Sequence, residues 1–173
     1  ISELVSLQNE VPGFSTDRVL EILAEEIGEL PFERFDREPL AAASLAQVHR
    51  ARLDGEEVVV KIQRDGLREL FEVDCANIRF LARVADALDP QEEGVSSDWK
   101  GIAETSEGVL YREIDFRVEK ESAEKFRQNF EGCDWVKIPK TFPEYCTEKV
   151  LVLEYVKGRK INDPVQMYLN DVF

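Results

Sequence analysis

Residues 41–61 read AAASLAQVHRARLDGEEVVVK, and this stretch decides the fold of the chain. Asp54 and Gly55 predict a hairpin, because both residues tolerate the positive φ angles of a two-residue turn. Residues 44–53 before the turn and 57–63 after it are typical of two strands, the second rich in valine and carrying a lysine. The stretch therefore predicts an antiparallel pair of strands with small residues leading into it.

Four small residues form the loop before this hairpin, namely Ala41, Ala42, Ala43 and Ser44. A small-residue loop between strands, followed by a hairpin and a lysine-bearing strand, is how protein-kinase-type folds cover a nucleotide and contact its phosphates. In those folds the loop is glycine-rich. Alanine allows a close turn but resists positive φ, and an alanine run alone is more often helical. Backbone N–H groups of the loop can still face a phosphate.

Residues 39–51 read PLAAASLAQVHRA and are followed by Asp54-Gly55 and by VVKIQ at residues 59–63. This combination closely resembles the UbiB family of atypical kinases. That family has an alanine-rich nucleotide loop and supports isoprenoid-quinone synthesis, with ubiquinone, plastoquinone or tocopherol pathways in bacteria, mitochondria and plastids. The resemblance covers roughly residues 11–163. It implies an atypical kinase or ATPase with altered nucleotide selectivity and suppressed protein-kinase activity.

Residues 111–116 and 154–158 look most like those of plastid and cyanobacterial members of the family. We therefore expect a chloroplast location, with the mitochondrion or the bacterial cytoplasm or membrane surface as alternatives. The resemblance also implies a quinone or prenyl lipid as a partner. Peripheral membrane association would then come from regions outside this chain.

The composition limits the remaining partners. The chain has 173 residues, with 22 basic against 36 acidic side chains and a net charge of -14. Such a surface repels nucleic acid and offers no basic patch to anionic lipid, so we expect no nucleic-acid partner. No apolar run approaches the roughly 18 residues that indicate a membrane-spanning helix.

Cysteine and histidine usage gives no sign of a metal centre. Cys75, Cys133 and Cys146 are odd in number, widely spaced and without a Cys-x-x-Cys pair, which disfavours a disulfide framework or a zinc site. His49 is the single histidine, so a histidine-based metal cluster is excluded within this chain. We expect Gln47 and His49 to be structural.

The helices are predicted from spacing and caps. Residues 17–27 have helical periodicity and can be capped by Ser15 or Thr16. Leu67–Leu88 is an amphipathic helix, inserted where ordinary kinases have a short link. A second, long helix is expected to begin near residue 98, with a Ser97 cap, and to run on to residue 130 with a break at some point.

Further strands are expected at residues 32–38, 135–138 and 149–156, with 141–146 extended along an edge. The fold class is therefore α+β. We predict a protein-kinase-like small lobe, in which a five-stranded antiparallel sheet carries a long αC-type helix, an inserted helix and an N-terminal helical extension.

The predicted organisation has three parts. Residues 1–31 are the end of the N-terminal helical extension, 32–156 the kinase-like small lobe, and 157–173 the hinge and the start of a catalytic large lobe. We interpret the chain as a fragment, because it starts at Ile1 and stops inside a helical pattern. We expect it to be inactive alone, because the catalytic loop and the metal-binding Asp of the kinase scheme would belong to a large lobe after Phe173. The family's Lys-x-Gly-Gln motif is not in it.

Lys61 is the first candidate catalytic residue. In a kinase-like lobe it would contact the α- and β-phosphates of ATP as a point charge, a contact worth about 1.5–3 kcal/mol. From the residues alone, a charge at the solvent end of a strand explains Lys61 equally well.

Three acids provide candidate partners for Lys61. Residues 111–119 read YREIDFRVE, which resembles the family's Glu-x-Asp signature followed by a further glutamate. Asp115 and Glu119 are four apart and so share a helix face, whereas Glu113 lies on another. The resemblance favours Glu119 as the partner of Lys61, with Glu113 and Asp115 meeting the N-terminal motif or the metal. A solvated acidic helix is the alternative.

The segment LEYV at residues 153–156 resembles a kinase hinge, whose backbone N–H and C=O groups would pair with the adenine edge. Apolar side chains on the strands would wall the base. The cofactors implied are ATP and Mg²⁺, with the metal ligands mainly in the large lobe and none assigned here. The predicted nucleotide-binding residues are Leu40, Ala41, Ala42, Ala43, Ser44, Val48, Val59, Lys61, Leu153, Glu154, Tyr155 and Val156.

Two other functions remain open. One is a non-catalytic scaffold, a nucleotide-responsive or lipid-binding pseudokinase whose inserted helix binds partner proteins or quinone lipid. The other is a phosphotransferase of the aminoglycoside type, which shares the lobe but not the alanine-rich loop. ATP hydrolysis that depends on Lys61 favours the kinase, whereas tight nucleotide binding without turnover favours the scaffold.

Overall fold

The computed structural model of the chain describes residues 13–88 and 98–158. The predictions for residues 1–12, for the loop at 89–97 with its Ser97 cap, and for the helix that starts near residue 161 lie outside the described residues. Within the described ranges, no helix is both long and apolar enough to cross a bilayer.

The core of the fold is a five-stranded antiparallel sheet, in which β1, β3, β4 and β5 lie side by side and β2 also pairs with β3. The strands are β1 (Arg34–Phe35), β2 (Ala41–Ala42), β3 (Ala46–Leu53), β4 (Glu56–Gln63) and β5 (Val150–Glu154). The five-stranded antiparallel sheet predicted from the sequence is confirmed.

The β3–β4 hairpin turns at the two residues that predicted it. Leu53 and Glu56 are the last cross-strand pair before the turn. Asp54 has a φ of 48° and Gly55 a φ of 80°, the left-handed conformation that a two-residue hairpin turn demands. This turn fixes the register of the whole pair, and so fixes the face on which each side chain lies.

One face of the sheet is covered by the helix α1 (Thr16–Ile27), whose N-terminus is capped by the hydroxyl of Ser15. A fully buried apolar side chain stabilises the fold by about 1.5–3 kcal/mol relative to an exposed one. The buried cluster on this face consists of Val19, Ile22, Leu23, Ala51, Leu53, Val58, Val60, Ile62, Phe142, Val150 and Val152.

Three further helices follow. The helix α2 (Leu67–Leu88) has the predicted bounds and packs against α3 (Trp99–Glu113). The N-cap of α3 is Asp98, whose carboxylate accepts the Gly101 N–H at 2.8 Å. The N-cap is therefore Asp98, and Ser97, the cap predicted from the sequence, lies just outside the described residues.

The predicted long helix is divided in two. Ile114 is the C-cap of α3, and Asp115 is the N-cap of the next helix, α4 (Phe116–Asn129). Asp115 has φ -100° and ψ 101°, outside the helical region. It therefore does not share a helix face with Glu119, and the prediction that it does is wrong.

The strand predicted at residues 135–138 is not formed. Trp135 is 84% exposed, and the segment has no strand partner in the described residues. The fifth strand of the sheet is instead β2, which the alanine loop supplies. Residues 141–146 were expected to be extended along an edge of the sheet. In the structure, Thr141 makes an isolated bridge to Leu153, and a 3₁₀ turn spans Pro143–Tyr145.

Candidate functional site

The second face of the sheet carries Lys61. Direct antiparallel pairing places Val48 opposite Lys61, and Lys61 opposite Leu151. Ala41 pairs with Val48 in the same row. Directly opposed residues project to the same face of a sheet. The row therefore brings the alanine loop, an apolar side chain and the lysine to one surface, which we call the lysine face.

Lys61 forms an ion pair with Glu119. Its Nζ atom lies 2.6 Å from Oε2 of Glu119, and 4.5 Å from the centre of the Phe116 ring. The Lys61 side chain is 29% exposed and that of Glu119 47%, so the pair is open enough for solvent to screen it. An ion pair of this exposure stabilises a fold by at most about 1 kcal/mol. The pair can hold the lysine side chain extended.

Helix α4 places Glu119 by docking its first residue. Phe116 is 2% exposed and packs with Ala46 and Leu151 on the lysine face. Its backbone N–H donates to the Glu148 carbonyl at 3.0 Å. Residues three apart lie on the same side of a helix. Glu119, one turn beyond Phe116, is thereby brought to the lysine.

The other two predicted acids have different places. Asp115 accepts the backbone N–H of Arg117 at 3.0 Å and binds its guanidinium at 2.8 Å. The Arg117 contact holds the pKa of Asp115 below its usual value of 3.8. Glu113 is the exposed last residue of α3. The structure therefore joins Glu119, and not Asp115, to Lys61.

Apolar side chains continue the lysine face toward the end of β5. Val59 pairs with Leu153 across the sheet, two residues from Lys61 and therefore on the same side. Both are half-buried, as is Val48. Beyond them, the Arg50 guanidinium lies 4.4 Å from the centre of the Tyr155 ring. Val48, Val59 and Leu153 could form the walls of a flat apolar slot.

Backbone N–H groups of the predicted hinge, residues 153–156, already donate to carbonyls elsewhere in the chain. The N–H of Glu154 donates to the Lys140 carbonyl at 2.8 Å, and that of Tyr155 to the Glu57 carbonyl at 2.9 Å. Those two N–H groups cannot also meet an adenine edge. Among the described residues, the Val156 N–H has no such backbone partner. The predicted base contact is therefore narrowed to Val156 and to the carbonyls of the segment.

The alanine loop consists of the two residues of β2 followed by a short exposed turn at Ala43 and Ser44. The N–H of Ala43 donates to the Ala46 carbonyl at 2.8 Å, and the N–H of Leu40 to the Val48 carbonyl at 2.8 Å. Ser44 is exposed at the tip. Asp54 is the one non-glycine residue with positive φ in the described chain, so the alanines are unstrained. The turn therefore needs no glycine to form.

His49 belongs to the opposite face and is buried. Its Nδ1 lies 2.8 Å from the Asp36 carbonyl, which requires Nδ1 to carry the hydrogen. Its Nε2 lies 2.9 Å from Nε2 of Gln47, which must donate. Gln47 in turn accepts the Phe14 N–H at 3.0 Å. Both residues therefore link strand β3 to the segments around it, and burial lowers the pKa of His49 below its usual 6.5.

Several residues around the site were not identified from the sequence. Gln63 follows Lys61 by two positions, so the period of a strand puts both side chains on one face, a signal that could have found it. Arg64 donates to the Ala43 carbonyl at 3.3 Å and so touches the alanine loop. Arg117 and Glu148, which lie 3.3 Å apart, required the folded chain to be recognised.

Within residues 13–88 and 98–158, no group of three or more His, Cys, Asp or Glu side chains converges in a way that could hold a metal ion. The lysine face presents a cation beside partly buried apolar side chains.

The chain is similar in sequence to proteins of plants and bacteria. The chain is 47% identical over 165 residues to the chloroplastic protein ACTIVITY OF BC1 COMPLEX KINASE 8 of Arabidopsis thaliana, covering 94% of this chain and 22% of that protein. It is 38% identical to a probable protein kinase UbiB of Pseudomonas fluorescens, covering 93% of this chain and 30% of that protein. The chain spans about a quarter of the length of these relatives.

A solved structure shares the fold. Rv3197 of Mycobacterium tuberculosis, determined in complex with erythromycin, superposes with a TM-score of 0.75 at 26% identity, covering 85% of this chain and 37% of that chain. The sequence profile of the ABC1 atypical kinase-like domain matches residues 6–171. These matches confirm the UbiB resemblance and the kinase-like small lobe, and the chain belongs to the ABC1 atypical kinase-like family.

Proposed function

We propose that the chain is the ATP-binding small lobe of an atypical kinase or ATPase. The observation that carries the proposal is the ion pair between Lys61 and Glu119, at 2.6 Å, on the same face as the alanine loop. A lysine held extended by a carboxylate is suited to bind phosphate as a point charge. The family to which the chain belongs supports the same reading.

The proposed nucleotide lies along the lysine face with its two ends separated. The Val59–Leu153 pair lies two residues, or about 7 Å, along the strands from Lys61. A base seated against these apolar side chains, with its edge toward Val156, would bring its phosphates to the lysine and the alanine loop. Along β4 and β5, the base would therefore contact Val59 and Leu153, and the phosphates would lie nearer to Lys61.

Each contact has a distinct role in this proposal. Lys61 neutralises charge on the α- and β-phosphates, and Glu119 keeps its ammonium group extended. Ser44, exposed at the loop tip, offers a hydroxyl and an N–H to the phosphates. Mg²⁺ supplies further charge neutralisation when the nucleotide is bound. As the family resemblance implies, we place its protein ligands mainly in the large lobe.

The wider role that we propose is support of isoprenoid-quinone metabolism in plastids. The names of three plant relatives include the word chloroplastic, and other relatives carry the name UbiB. A quinone or prenyl lipid would be the partner, and a membrane surface the site of action. The type of quinone is left open between ubiquinone, plastoquinone and tocopherol pathways.

A scaffold function is the second candidate, and the surface of α2 favours it. Leu70, Val73 and Leu81 are between 53% and 63% exposed on this helix, and Leu88 is 76% exposed. Such a series of exposed apolar residues is unusual on a helix that meets only water. In this version the nucleotide acts as a conformational ligand.

The test is Mg-ATP hydrolysis by the full-length protein that contains this chain, compared with a Lys61→Met variant. Methionine keeps the apolar stem of the side chain and removes the charge. We expect hydrolysis to fall to background in Lys61→Met and to persist in the control Lys125→Met, whose lysine is exposed on α4. Tight ATP binding without turnover in the wild type would favour the scaffold, and no ATP binding at all would refute both.

A further inference from the structure

Gln63 is a buried polar residue outside the set of residues to which the proposed function gives a role. It is 5% exposed, and its side-chain amide donates a hydrogen bond to the backbone carbonyl of Ile114. Ile114 is 2% exposed and closes helix α3. A carbonyl at a helix end has no partner within its own helix, and leaving it buried and unpaired is costly. Gln63 therefore supplies a hydrogen-bond donor to the buried carbonyl at the end of α3.

The position of Gln63 connects this bond to the site. It lies two residues after Lys61 on β4, so both side chains project to the lysine face. Ile114 lies two residues before Phe116, the residue that starts α4. One short strand segment thus carries both the phosphate-binding lysine and the group that holds the junction between α3 and α4.

The junction is held from a second strand as well. The Glu148 carbonyl, next to β5, accepts the Phe116 N–H at 3.0 Å. Its carboxylate contacts Arg117 at 3.3 Å and Arg68 of α2 at 2.7 Å. The two ion pairs of Glu148 are partly exposed and therefore weak. The side-chain contact made by Gln63 is buried, so solvent cannot replace it.

We infer that Gln63 is a positioning residue, which fixes the start of α4 so that Glu119 meets Lys61. The inference rests on the proposed function for its consequence in nucleotide binding, but its structural statement does not. Glu119 lies five residues after Ile114, so a shift of the junction moves the carboxylate directly. Without the Gln63 bond, the lysine loses its partner even though Lys61 and Glu119 are both present.

The first measurement uses the full chain without nucleotide. The rate at which an acylating reagent modifies Lys61 is followed by peptide mass spectrometry, because displacement of Glu119 opens the amine to the reagent. Gln63→Met conserves length and volume and removes the donor, and Gln63→Asn withdraws the amide by one methylene. We expect both variants to raise the Lys61 rate to that of Glu119→Gln.

The double variant Gln63→Met with Glu119→Gln makes the test specific. If Gln63 acts through Glu119, the double variant has the same Lys61 rate as Glu119→Gln alone. The matched control is Gln128→Met, an exposed glutamine near the end of the same helix. A Lys61 rate in both Gln63 variants equal to that of Gln128→Met would overturn the inference, whatever happens to thermal stability.

A second measurement separates this inference from the proposed function. Mg-ATP affinity is expected to fall about tenfold in Gln63→Met, equivalent to about 1.4 kcal/mol, and to be no lower in the double variant than in Glu119→Gln. If the wild type binds no ATP, the proposed function fails while the acylation result still decides the role of Gln63. If ATP binds and Gln63→Met leaves both the affinity and the Lys61 rate unchanged, only the positioning role fails.

Discussion

The Nζ atom of Lys61 lies 2.6 Å from the Oε2 atom of Glu119, although 58 positions separate the two residues in the chain. One belongs to the central strand β4 and the other to helix α4, and they meet because Phe116 is buried against the sheet between them. The contact is therefore a result of tertiary packing. It is also the contact on which the functional account depends.

Replacing Lys61 by alanine is expected to weaken Mg-ATP binding by about ten- to a hundredfold, because a charge-assisted contact to phosphate is lost. Isothermal titration calorimetry on the full chain measures the change. Lys125→Ala serves as the control, since its lysine is exposed on α4. Equal affinities for wild type and Lys61→Ala would remove the phosphate-binding role of this residue.

Glu119→Gln is expected to separate stability from function. The pair is partly exposed, so the free energy of unfolding should fall by less than about 1 kcal/mol. Mg-ATP affinity should fall more, because the lysine is no longer held extended toward the phosphates. Urea denaturation and calorimetry measure the two effects, with Glu121→Gln, an exposed glutamate on the same helix, as control. An unchanged affinity would show that the pair is only structural.

Asp115 is expected to act as a helix cap. Asp115→Ala should lower the free energy of unfolding by about 1 kcal/mol, the usual cost of losing an N-cap acceptor. Asp115→Asn keeps an acceptor for the Arg117 N–H and should cost less. Chemical denaturation of both variants tests the order. If the alanine and asparagine variants lose equal stability, the charge on Asp115 matters and the cap does not.

His49 predicts a pH dependence with a definite sign. Burial lowers its folded-state pKa below the usual 6.5, so the folded chain favours the neutral ring. The stability from this residue is present above pH 6.5 and is lost as pH falls from there through the folded-state pKa. Because His49 is the single histidine, its ring protons give one NMR titration. A midpoint at or above 6.5 would contradict the buried, neutral assignment.

The sheet was predictable where local signals agree with tertiary structure. The Asp54-Gly55 turn and the valines of β4 both indicate a hairpin, and the structure forms it. The strand β2 was not recognised, because Ala41 and Ala42 have little intrinsic preference for strands. They pair only because β3 presents free backbone groups beside them, which is information that a local window does not contain.

The division between α3 and α4 shows a similar limit. Apolar residues keep a helical spacing across the junction, so periodicity predicts one long helical stretch with a break and does not place the break. At the break, Gln63 and Glu148 supply hydrogen-bond partners for the backbone of Ile114 and Phe116. Asp115 is a strong N-cap residue and gave a local signal that periodicity outweighed.

The strand predicted at residues 135–138 does not form, because local signals favour it and no tertiary partner supports it. Its residues suit a strand, but no described strand lies beside it, and Trp135 is 84% exposed. At the site, the Lys61–Glu119 pair was favoured by the family resemblance and not by spacing. The contacts of Gln63 and Glu148 with the junction depend on residues more than 30 positions away, which spacing cannot reveal.

The most direct test of the account is the map of amide chemical-shift changes when Mg-ATP is titrated into the full chain. We expect the largest changes at Ser44, Val48, Lys61 and Val156, because the lysine face is where the nucleotide is proposed to lie. A cavity of about 200 Å³ between α2 and α3, lined by Arg79 among others, offers a competing site. Changes confined to that cavity, or no changes at all, would contradict the account.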